Sequence, residues 1–280
     1  MNELIKAVRE IARKAGDTIL DVYEQQELGI QTKADATPVT MADFRANEVI
    51  EKNLLRLDVA YPILSEESTH ADLSVRQTWS RYWLVDPLDG TQEFINGNGQ
   101  FTVNIALMEK APNGFSYPLF GVVHVPVTNT TYWGGKQSGA FKQVGSEPVE
   151  PIQPRALNLD DVIVLGSRTY GTAGAAQFIE RLRETYPDLT LQKVGSALKS
   201  CLVAEGTADL YPRIGPTSEW DTAAVQGVVE GAGGQLLNPE GERFAYNFKN
   251  HLLNSDFLVL GDVSIDWASF WNPDALNALG

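Results

Sequence analysis

Two carboxylates and a Gly-Thr turn stand together where an apolar run of the chain breaks. Residues 82–85 are apolar, as in a buried strand, and Asp86 follows with a proline directly after it. Proline cannot donate to a strand ladder and biases the preceding residue toward an extended conformation, so this pattern predicts a strand that ends at Asp86. Asp89, Gly90 and Thr91 come next and suit a tight turn that opens a helix.

The chemistry that this stretch could perform is the binding of a metal ion beside a phosphate group. Carboxylate and backbone oxygens are the ligands that Mg²⁺ prefers, and backbone N–H groups at the start of a helix receive anions. In isolation, Asp86 and Asp89 could equally be turn residues that cap backbone groups. The other acidic positions of the chain bear on the choice between these two interpretations.

Asp43 and Asp221 lie near the starts of predicted helices, where a carboxylate commonly has a capping role. Thr40 is placed to cap a helix over residues 41–57, and Asp43 stands three residues later, as in a capping box. Asp221 belongs to a Trp-Asp-Thr-Ala string that opens a helix ending at one of the glycines between 231 and 234. For both aspartates, the sequence leaves capping and a role in metal binding or catalysis open.

Glu66 follows a short predicted strand at residues 61–64. The strand that ends at Asp86 is the next one along the chain, and residues 70–80 could return the chain alongside the first strand. Carboxylates at the ends of neighbouring strands converge on one metal ion. We therefore expect Glu66 to be a metal ligand. Its neighbour Glu67 is expected either to contact the ligating residues without touching the metal or to lie in solvent.

The elements that must position these residues fall into two halves. A predicted helix over residues 3–24 precedes the strands already named and a meander of strands at 101–108, 119–127, 130–133 and 140–142. The proline-rich segment 146–154 has neither the hydrophobic periodicity of a helix nor that of a strand, and it is the best candidate for a domain boundary. After it, strands alternate with helices: strands at 162–165, 189–194, 208–211 and 257–260, and helices at 173–185, 196–205 and from 219. We predict an α+β domain over 1–150, with the metal site, and an α/β domain over 151–280 that completes the substrate pocket.

Composition limits the classes of partner. The chain has 280 residues, a hydrophobic fraction of 43% and a formal net charge of −14. This charge disfavours nucleic-acid polymers and anionic membranes, and an anionic substrate would need bound cations to receive it. The single cysteine, Cys201, lies in an apolar segment and is predicted to be a core residue, which fits a reducing compartment. The charged N-terminal residues predict no signal peptide or transmembrane segment, and hence a cytoplasmic protein, with peripheral contact to the inner face of the cell membrane left open.

Five motifs now occur in order along the chain and together resemble the inositol monophosphatase superfamily. They are Thr40-x-x-Asp43, Ser65-Glu66-Glu67, Asp86-Pro87-Leu88-Asp89-Gly90-Thr91, Gly195-Ser196-x-x-Lys199 and Trp220-Asp221-Thr222-Ala223. The resemblance runs from about residue 3 to residue 260. It implies a Mg²⁺-dependent, lithium-sensitive phosphatase with a layered sugar-phosphatase fold, an αβαβα sandwich whose active site lies between the two halves.

Within the superfamily, three longer strings most resemble the bacterial 3'(2'),5'-bisphosphate nucleotidases of sulfate assimilation. These strings are residues 82–94, 201–206 and 210–217. They imply hydrolysis of adenosine 3',5'-bisphosphate to AMP and phosphate, with its sulfated analogue, 3'-phosphoadenosine 5'-phosphosulfate, as a further candidate substrate. The alternatives are an inositol or sugar monophosphatase of the same superfamily and, in a different class, a non-catalytic phosphate-binding regulatory protein. A non-catalytic protein of this kind should lack one of the metal-binding residues, yet every expected carboxylate is present. The oligomeric state is left open.

The resemblance also implies roles for residues at matching positions. Two or three Mg²⁺ ions would be held by Glu66, Asp86, the Leu88 carbonyl, Asp89 and Asp221. The Thr91 hydroxyl, supported by Asp43, would position and deprotonate the attacking water, with Glu66 as a further catalytic residue. The substrate would contact Glu66, Leu88, Asp89, Gly90, Thr91, Ser196, Lys199, Arg213 and Asp221. Lys199 and Arg213 would bind the remaining 5' phosphate; otherwise they would be a solvated lysine and a partner in a surface salt bridge.

Two positions depart from the pattern. Gln92 stands where relatives often carry lysine, and Tyr170 stands where they often carry a histidine near the adenine. Tyrosine can still stack on a base, so Tyr170 is a candidate base contact.

Overall fold

The structure, a computed structural model, describes residues 1–25, 29–32, 38–168 and 172–271. The candidate base contact Tyr170 and the end of the chain from residue 272 lie outside these ranges. The helices are α1 (Asn2–Gln25), α2 (Met41–Leu54), α3 (Leu73–Arg76), α4 (Thr91–Ile95), α5 (Ala173–Thr185), α6 (Leu198–Ala204) and α7 (Glu219–Ala232), with a 3₁₀ helix at Trp267–Phe270. None of the helices in the described ranges combines the length and apolar character of a membrane span.

The strands of the described residues form two main sheets and a separate two-stranded sheet. The smallest sheet described pairs β1 (Gln31–Thr32) with β2 (Pro38–Val39) in antiparallel orientation. The first sheet has the order β3-β4-β5-β6-β7-β8-β9, with bounds β3 (Ile63–Ser65), β4 (Arg81–Asp89), β5 (Thr102–Lys110), β6 (Ser116–Val125), β7 (Thr130–Gly135), β8 (Gly139–Val144) and β9 (Glu150–Pro151). The second has the order β11-β10-β12-β14-β13, with bounds β10 (Ile163–Ser167), β11 (Thr190–Val194), β12 (Leu210–Arg213), β13 (Gln235–Leu237) and β14 (Phe257–Leu260).

Strand β4 is buried on both faces, as its continuous apolar run predicts. Because side chains alternate along a strand, Tyr82 and Leu84 pack into the core between the two sheets. Trp83 and Val85 point the other way, into the core beneath α1 and α2. Because both faces of β4 are covered, Asp86 is buried within this strand.

The layers follow the predicted helix–sheet–helix–sheet–helix sandwich. Helices α1 and α2 cover the outer face of the first sheet. Helices α6 and α7 lie between the sheets, and α5 with the 3₁₀ helix covers the outer face of the second. The meander β5 to β8 is antiparallel throughout, as predicted. The division into domains at residue 150 stays a prediction.

Three details differ from the sequence-based expectations. Strand β4 does not end at Asp86 but continues through Pro87 to Asp89, because the pairing with β5 slips between Asp86 and Asp89 and the proline needs no ladder bond there. The strand predicted at 257–260 lies inside its sheet, because the short strand β13, which the sequence analysis does not predict, forms the edge. Helix α2 ends at Leu54, before the predicted residue 57.

Helix α7 crosses the first sheet at backbone contact distance. A Cβ atom at Gly121 would lie 1.9 Å from the Ala224 carbonyl oxygen, and one at Gly227 would lie 2.5 Å from the Gly121 nitrogen. No side chain fits between these two backbones. Small residues on both elements therefore allow α7 to bring Asp221 against the first sheet.

Gly121→Ala is accordingly expected to destabilise the fold. The added methyl group must push α7 away from β6, which we expect to lower the free energy of unfolding by about 3 kcal/mol. Gly166→Ala is the matched control, since its Cβ would meet only the Leu191 side chain at 3.3 Å. Urea unfolding of both variants measures the difference, and equal stability of the two would contradict this account of α7 packing.

Candidate metal and phosphate site

Three carboxylates from separate elements meet at one end of the first sheet. Glu66 follows β3, Asp86 lies in β4 and Asp221 lies in the first turn of α7. One oxygen of each lies within 4.8 Å of the corresponding oxygens of the other two. Strands β3 and β4 run parallel with Ser65 opposite Val85, so Glu66 emerges beside Asp86, as predicted.

The cluster is electrostatically strained without a cation. Burial, followed by the charges of Glu66, Asp89 and Asp221, raises the pKa of Asp86 well above its ordinary value. Burial and the charges of Asp89 and Glu66 act in the same way on the pKa of Asp221. Repelling carboxylates at this spacing favour either protonation or a bound positive charge.

The oxygens of Asp86 make the case for a hard cation. Asp86 is 1% exposed, and its Oδ1 accepts a hydrogen bond from the Leu88 N–H at 3.0 Å. Its Oδ2 is buried and has no hydrogen-bond partner among the described residues. A buried carboxylate oxygen without a partner is costly, and an all-oxygen donor set is the one Mg²⁺ favours. The residues present therefore fit Mg²⁺.

Asp89 lies beside the three clustered carboxylates and is held by the second half of the chain. Its Oδ2 accepts a short hydrogen bond from the Ala197 N–H. Burial raises the pKa of Asp89, while the Lys199 ammonium and the Ala197 N–H oppose that rise. Its role as a metal ligand stays a prediction.

Asp43 uses its two oxygens for two purposes. Oδ2 accepts from the Thr40 N–H at 2.8 Å and the Thr40 hydroxyl at 2.6 Å, which forms the predicted capping box of α2. Oδ1 accepts from the Thr91 hydroxyl at 3.0 Å. Burial raises the pKa of Asp43, although the bonds from Thr40 and Thr91 partly offset this effect. The Thr91 oxygen also lies 3.4 Å from the Leu88 carbonyl, so the Asp43–Thr91 pair adjoins a predicted ligand.

The Gly90 turn meets the Gly195-Ser196 turn of the other half. Gly90 has a φ of 91°, and a Cβ there would lie 3.1 Å from the Ser196 Cβ and 3.2 Å from the Gln100 carbonyl oxygen. Both the backbone conformation and the space thus require glycine. Ser196 itself has a φ of 49°, and its hydroxyl accepts from the Leu198 N–H at 3.3 Å.

Lys199 and Arg213 are buried, so the interpretation of Lys199 as a solvated lysine and of Arg213 as a partner in a surface salt bridge is wrong. Lys199 is 5% exposed, and its Nζ donates to the Ser196 carbonyl at 2.7 Å and the Val194 carbonyl at 3.3 Å. Burial lowers the pKa of Lys199 to about 8, against the attraction of Asp89. Arg213 is 7% exposed and donates from Nη2 to the Pro216 carbonyl at 2.7 Å. Their contact with substrate stays a prediction.

Sequence reasoning missed Asn104, which lies directly opposite Asp86 in the β4–β5 pairing. It is fully buried, and its Oδ1 accepts from the Thr102 hydroxyl at 3.0 Å. The amide lies beside Asp89 and favours the ionised carboxylate, without forming a well-aligned hydrogen bond. Its only signal in the sequence is a polar residue inside an otherwise apolar strand.

The clustered carboxylates predict how stability depends on pH and Mg²⁺. The folded protein holds protons on Asp43, Asp86, Asp89 and Asp221 at a higher pH than the unfolded chain does. Their contribution to stability is therefore complete below about pH 4 and is lost as the pH rises through the raised values. In chelator, we expect the melting temperature to fall as the pH rises above about 4, and Mg²⁺ to restore it at the higher pH.

Thermal unfolding with and without Mg²⁺ measures this effect. Asp86→Asn removes the central buried charge, so this variant should show a weaker loss of stability with rising pH and a smaller Mg²⁺ shift. A melting temperature of the wild type that is indifferent to both pH and Mg²⁺ would refute the electrostatic description of the cluster.

Comparison with known proteins points to one family. The family model described as "Inositol monophosphatase family" matches residues 1–261. The chain is 40% identical over 257 residues to the 3'(2'),5'-bisphosphate nucleotidase CysQ of Escherichia coli K12, covering 91% of this chain and 99% of the relative. The crystal structure of CysQ from Bacteroides thetaiotaomicron has a TM-score of 0.79 and 38% identity over 93% of this chain and 97% of its own. A Thermotoga maritima IMPase shares the fold with a TM-score of 0.79 at 22% identity and full coverage of both chains.

Proposed function

Since the chain belongs to the inositol monophosphatase family, we propose that it is a 3'(2'),5'-bisphosphate nucleotidase. It hydrolyses adenosine 3',5'-bisphosphate to AMP and phosphate in sulfur assimilation. The nucleotidase relatives, which align over nearly their whole length, support this substrate class. The sulfated analogue, 3'-phosphoadenosine 5'-phosphosulfate, is proposed as a second substrate. Because the one cysteine is buried and no internal disulfide can form, we also propose a reducing, cytoplasmic location.

One observation carries the catalytic part of the proposal. Three carboxylates that are distant in the chain come together: one oxygen of each lies within 4.8 Å of the others, in Glu66, Asp86 and Asp221. Beside them, the Thr91 hydroxyl is bonded to Asp43 at 3.0 Å. A cluster of acids alone would repel a phosphate, so this arrangement suits a phosphatase that uses bound cations.

Glu66, Asp86, the Leu88 carbonyl, Asp89 and Asp221 are the residues that would hold Mg²⁺, with two or three ions proposed. Bound Mg²⁺ would neutralise charge on the phosphate oxygens, lower the pKa of the attacking water and stabilise the leaving oxygen.

The chain's own groups would do the positioning and the proton transfer. The N–H groups of Gly90 and Thr91 would orient the scissile phosphate. The Thr91 hydroxyl would accept the proton of the attacking water as its own proton passes to Oδ1 of Asp43, with which it already shares a hydrogen bond. Ser196, Lys199 and Arg213 are proposed to line the subsite for the remaining phosphate.

A substrate panel tests the proposal. Phosphate release from adenosine 3',5'-bisphosphate, the sulfated analogue and inositol 1-phosphate would be compared in Mg²⁺, in EDTA and in Mg²⁺ with lithium. We expect kcat/KM for the adenosine bisphosphate to exceed that for inositol 1-phosphate by at least about 10²-fold, with activity lost in EDTA and inhibited by lithium. A preference for inositol 1-phosphate would favour the monophosphatase alternative, and no release from any substrate would favour a non-catalytic phosphate-binding protein.

A further inference from the structure

Gln100 connects the loop that follows the phosphate turn to two segments of the second half. It lies after α4, the short helix that begins at Thr91. Its Oε1 accepts two hydrogen bonds, from the Gly195 N–H at 2.7 Å and from Nε of Arg168 at 2.8 Å. One side-chain oxygen thus fixes a backbone turn and a guanidinium group together.

The pairing of β10 and β11 explains why Arg168 and Gly195 are neighbours. The two strands are parallel, with Ser167 opposite Val194, so the next residue of each leaves the sheet side by side. Ligands of open α/β sheets bind outside the carboxyl ends of parallel strands, which is where Arg168 lies.

The same turn also contacts Asp89, which lies beside the carboxylate cluster. Ser196 faces Gly90, and the Ala197 N–H is bonded to Asp89. Gln100 therefore holds Arg168 next to the turn that supports Asp89. The guanidinium lies at the rim of the proposed site and not on a remote surface.

Arg168 differs from the other cations of this region in its exposure. Lys199 and Arg213 are buried and donate to backbone carbonyls. The Arg168 side chain is exposed, and its recorded partner is a neutral amide; within the described ranges, no carboxylate forms an ion pair with it. On a chain of net charge −14, this is an oriented positive charge suited to an anion.

We propose that Arg168, oriented by Gln100, binds the anionic group of the substrate that is not hydrolysed, and so sets the preference for bisphosphorylated over monophosphorylated nucleotides. The inference rests on the proposed function and names a specificity residue for the same site. A guanidinium held at Nε can present its two terminal nitrogens to a phosphate or sulfate, which it binds in a bidentate manner.

Two nucleotides with the same scissile 3' phosphate test the proposal: adenosine 3',5'-bisphosphate and adenosine 3'-monophosphate. Arg168→Gln should lower kcat/KM for the bisphosphate by about 30-fold or more, mostly through KM, and leave the monophosphate within about threefold. The same variant should weaken binding of AMP, which carries the retained phosphate, by a similar factor in calorimetry. Arg183→Gln is the matched control, since it removes an exposed arginine from α5. It should leave kcat/KM unchanged for both nucleotides.

Gln100→Glu gives a second variant that keeps an acceptor for both donors. Its added negative charge pairs with Arg168, so we expect an intermediate and equally selective loss for the bisphosphate. If Arg168→Gln lowered kcat/KM equally for both nucleotides, or for neither, the inference would be overturned while the proposed function stayed intact. A wild-type protein that does not hydrolyse the bisphosphate would overturn both.

Discussion

Asp86→Asn is expected to lower the rate of phosphate release by at least about 10³-fold, which corresponds to about 4 kcal/mol of transition-state stabilisation. Asp86 is the most buried carboxylate of the cluster, and its Oδ2 has no other partner among the described residues. An amide in its place brings no negative charge and would turn either an N–H₂ group or a weak oxygen donor toward the proposed cations. The rate is measured as kcat for adenosine 3',5'-bisphosphate at saturating Mg²⁺.

The control for this prediction separates lost chemistry from lost structure. Asp17→Asn removes the same charge from an exposed position on α1 and should retain wild-type turnover. Asp86→Asn should remain folded and, in chelator at high pH, should melt no lower than the wild type because it relieves repulsion. Wild-type turnover by Asp86→Asn at saturating Mg²⁺ would refute the assignment of the site.

Thr91→Val is expected to have the second-largest effect, a decrease in kcat of about 10²- to 10³-fold with a KM within a few-fold of wild type. The variant keeps the shape of the side chain and the backbone N–H but removes the hydroxyl that bonds to Asp43 at 3.0 Å. The attacking water then loses the oxygen proposed to accept its proton. Steady-state kinetics with adenosine 3',5'-bisphosphate separates the two constants.

Thr91→Ser provides the matched variant for this residue. Serine restores the hydroxyl at the same position, so we expect most of the turnover to return. If Thr91→Val kept wild-type kcat, or if Thr91→Ser were as slow as Thr91→Val, the proposed relay through Thr91 and Asp43 would be wrong.

The sequence predicts the parts of the site that depend on local pattern and strand adjacency. The apolar run before Asp86 indicates a buried strand, and a return of the chain alongside it places Glu66 next to Asp86, as β3 and β4 do. Asp221 is different, because no local rule joins it to residues so far away in the chain. Only the family resemblance assigns it to the site, and the close crossing of α7 over β6 supplies the physical reason.

Capping and cluster formation turn out not to be alternatives for Asp43 and Asp221. Each aspartate caps its own helix through Oδ2, which bonds to the Thr40 N–H in one case and the Ser218 N–H in the other. Asp43 also contacts Thr91, and Asp221 also joins Glu66 and Asp86. At the start of a helix, one carboxylate oxygen can be held by the capping bond while the other contacts a neighbouring group. One residue can therefore both cap the helix and belong to the site.

The residues that sequence reasoning missed have no recurring spacing. Asn104 and Gln100 act through contacts between strands or between halves of the chain, and a lone polar residue in a strand or loop predicts no such contact. Strand β13 has only three residues, too few for a periodic signal, and the slip in β4 lets a proline stand where a strand was expected to end. These features depend on pairings that form only in the folded chain.

Anomalous diffraction from crystals grown with Mn²⁺, a substitute for Mg²⁺ with the same preference for oxygen ligands, tests the central claim most directly. The account predicts an anomalous peak among the carboxylates of Glu66, Asp86 and Asp221 in the wild type, and loss of that peak in crystals of Asp86→Asn. A wild-type protein that binds Mn²⁺ only elsewhere, or leaves this cluster without a peak at saturating Mn²⁺, would contradict it.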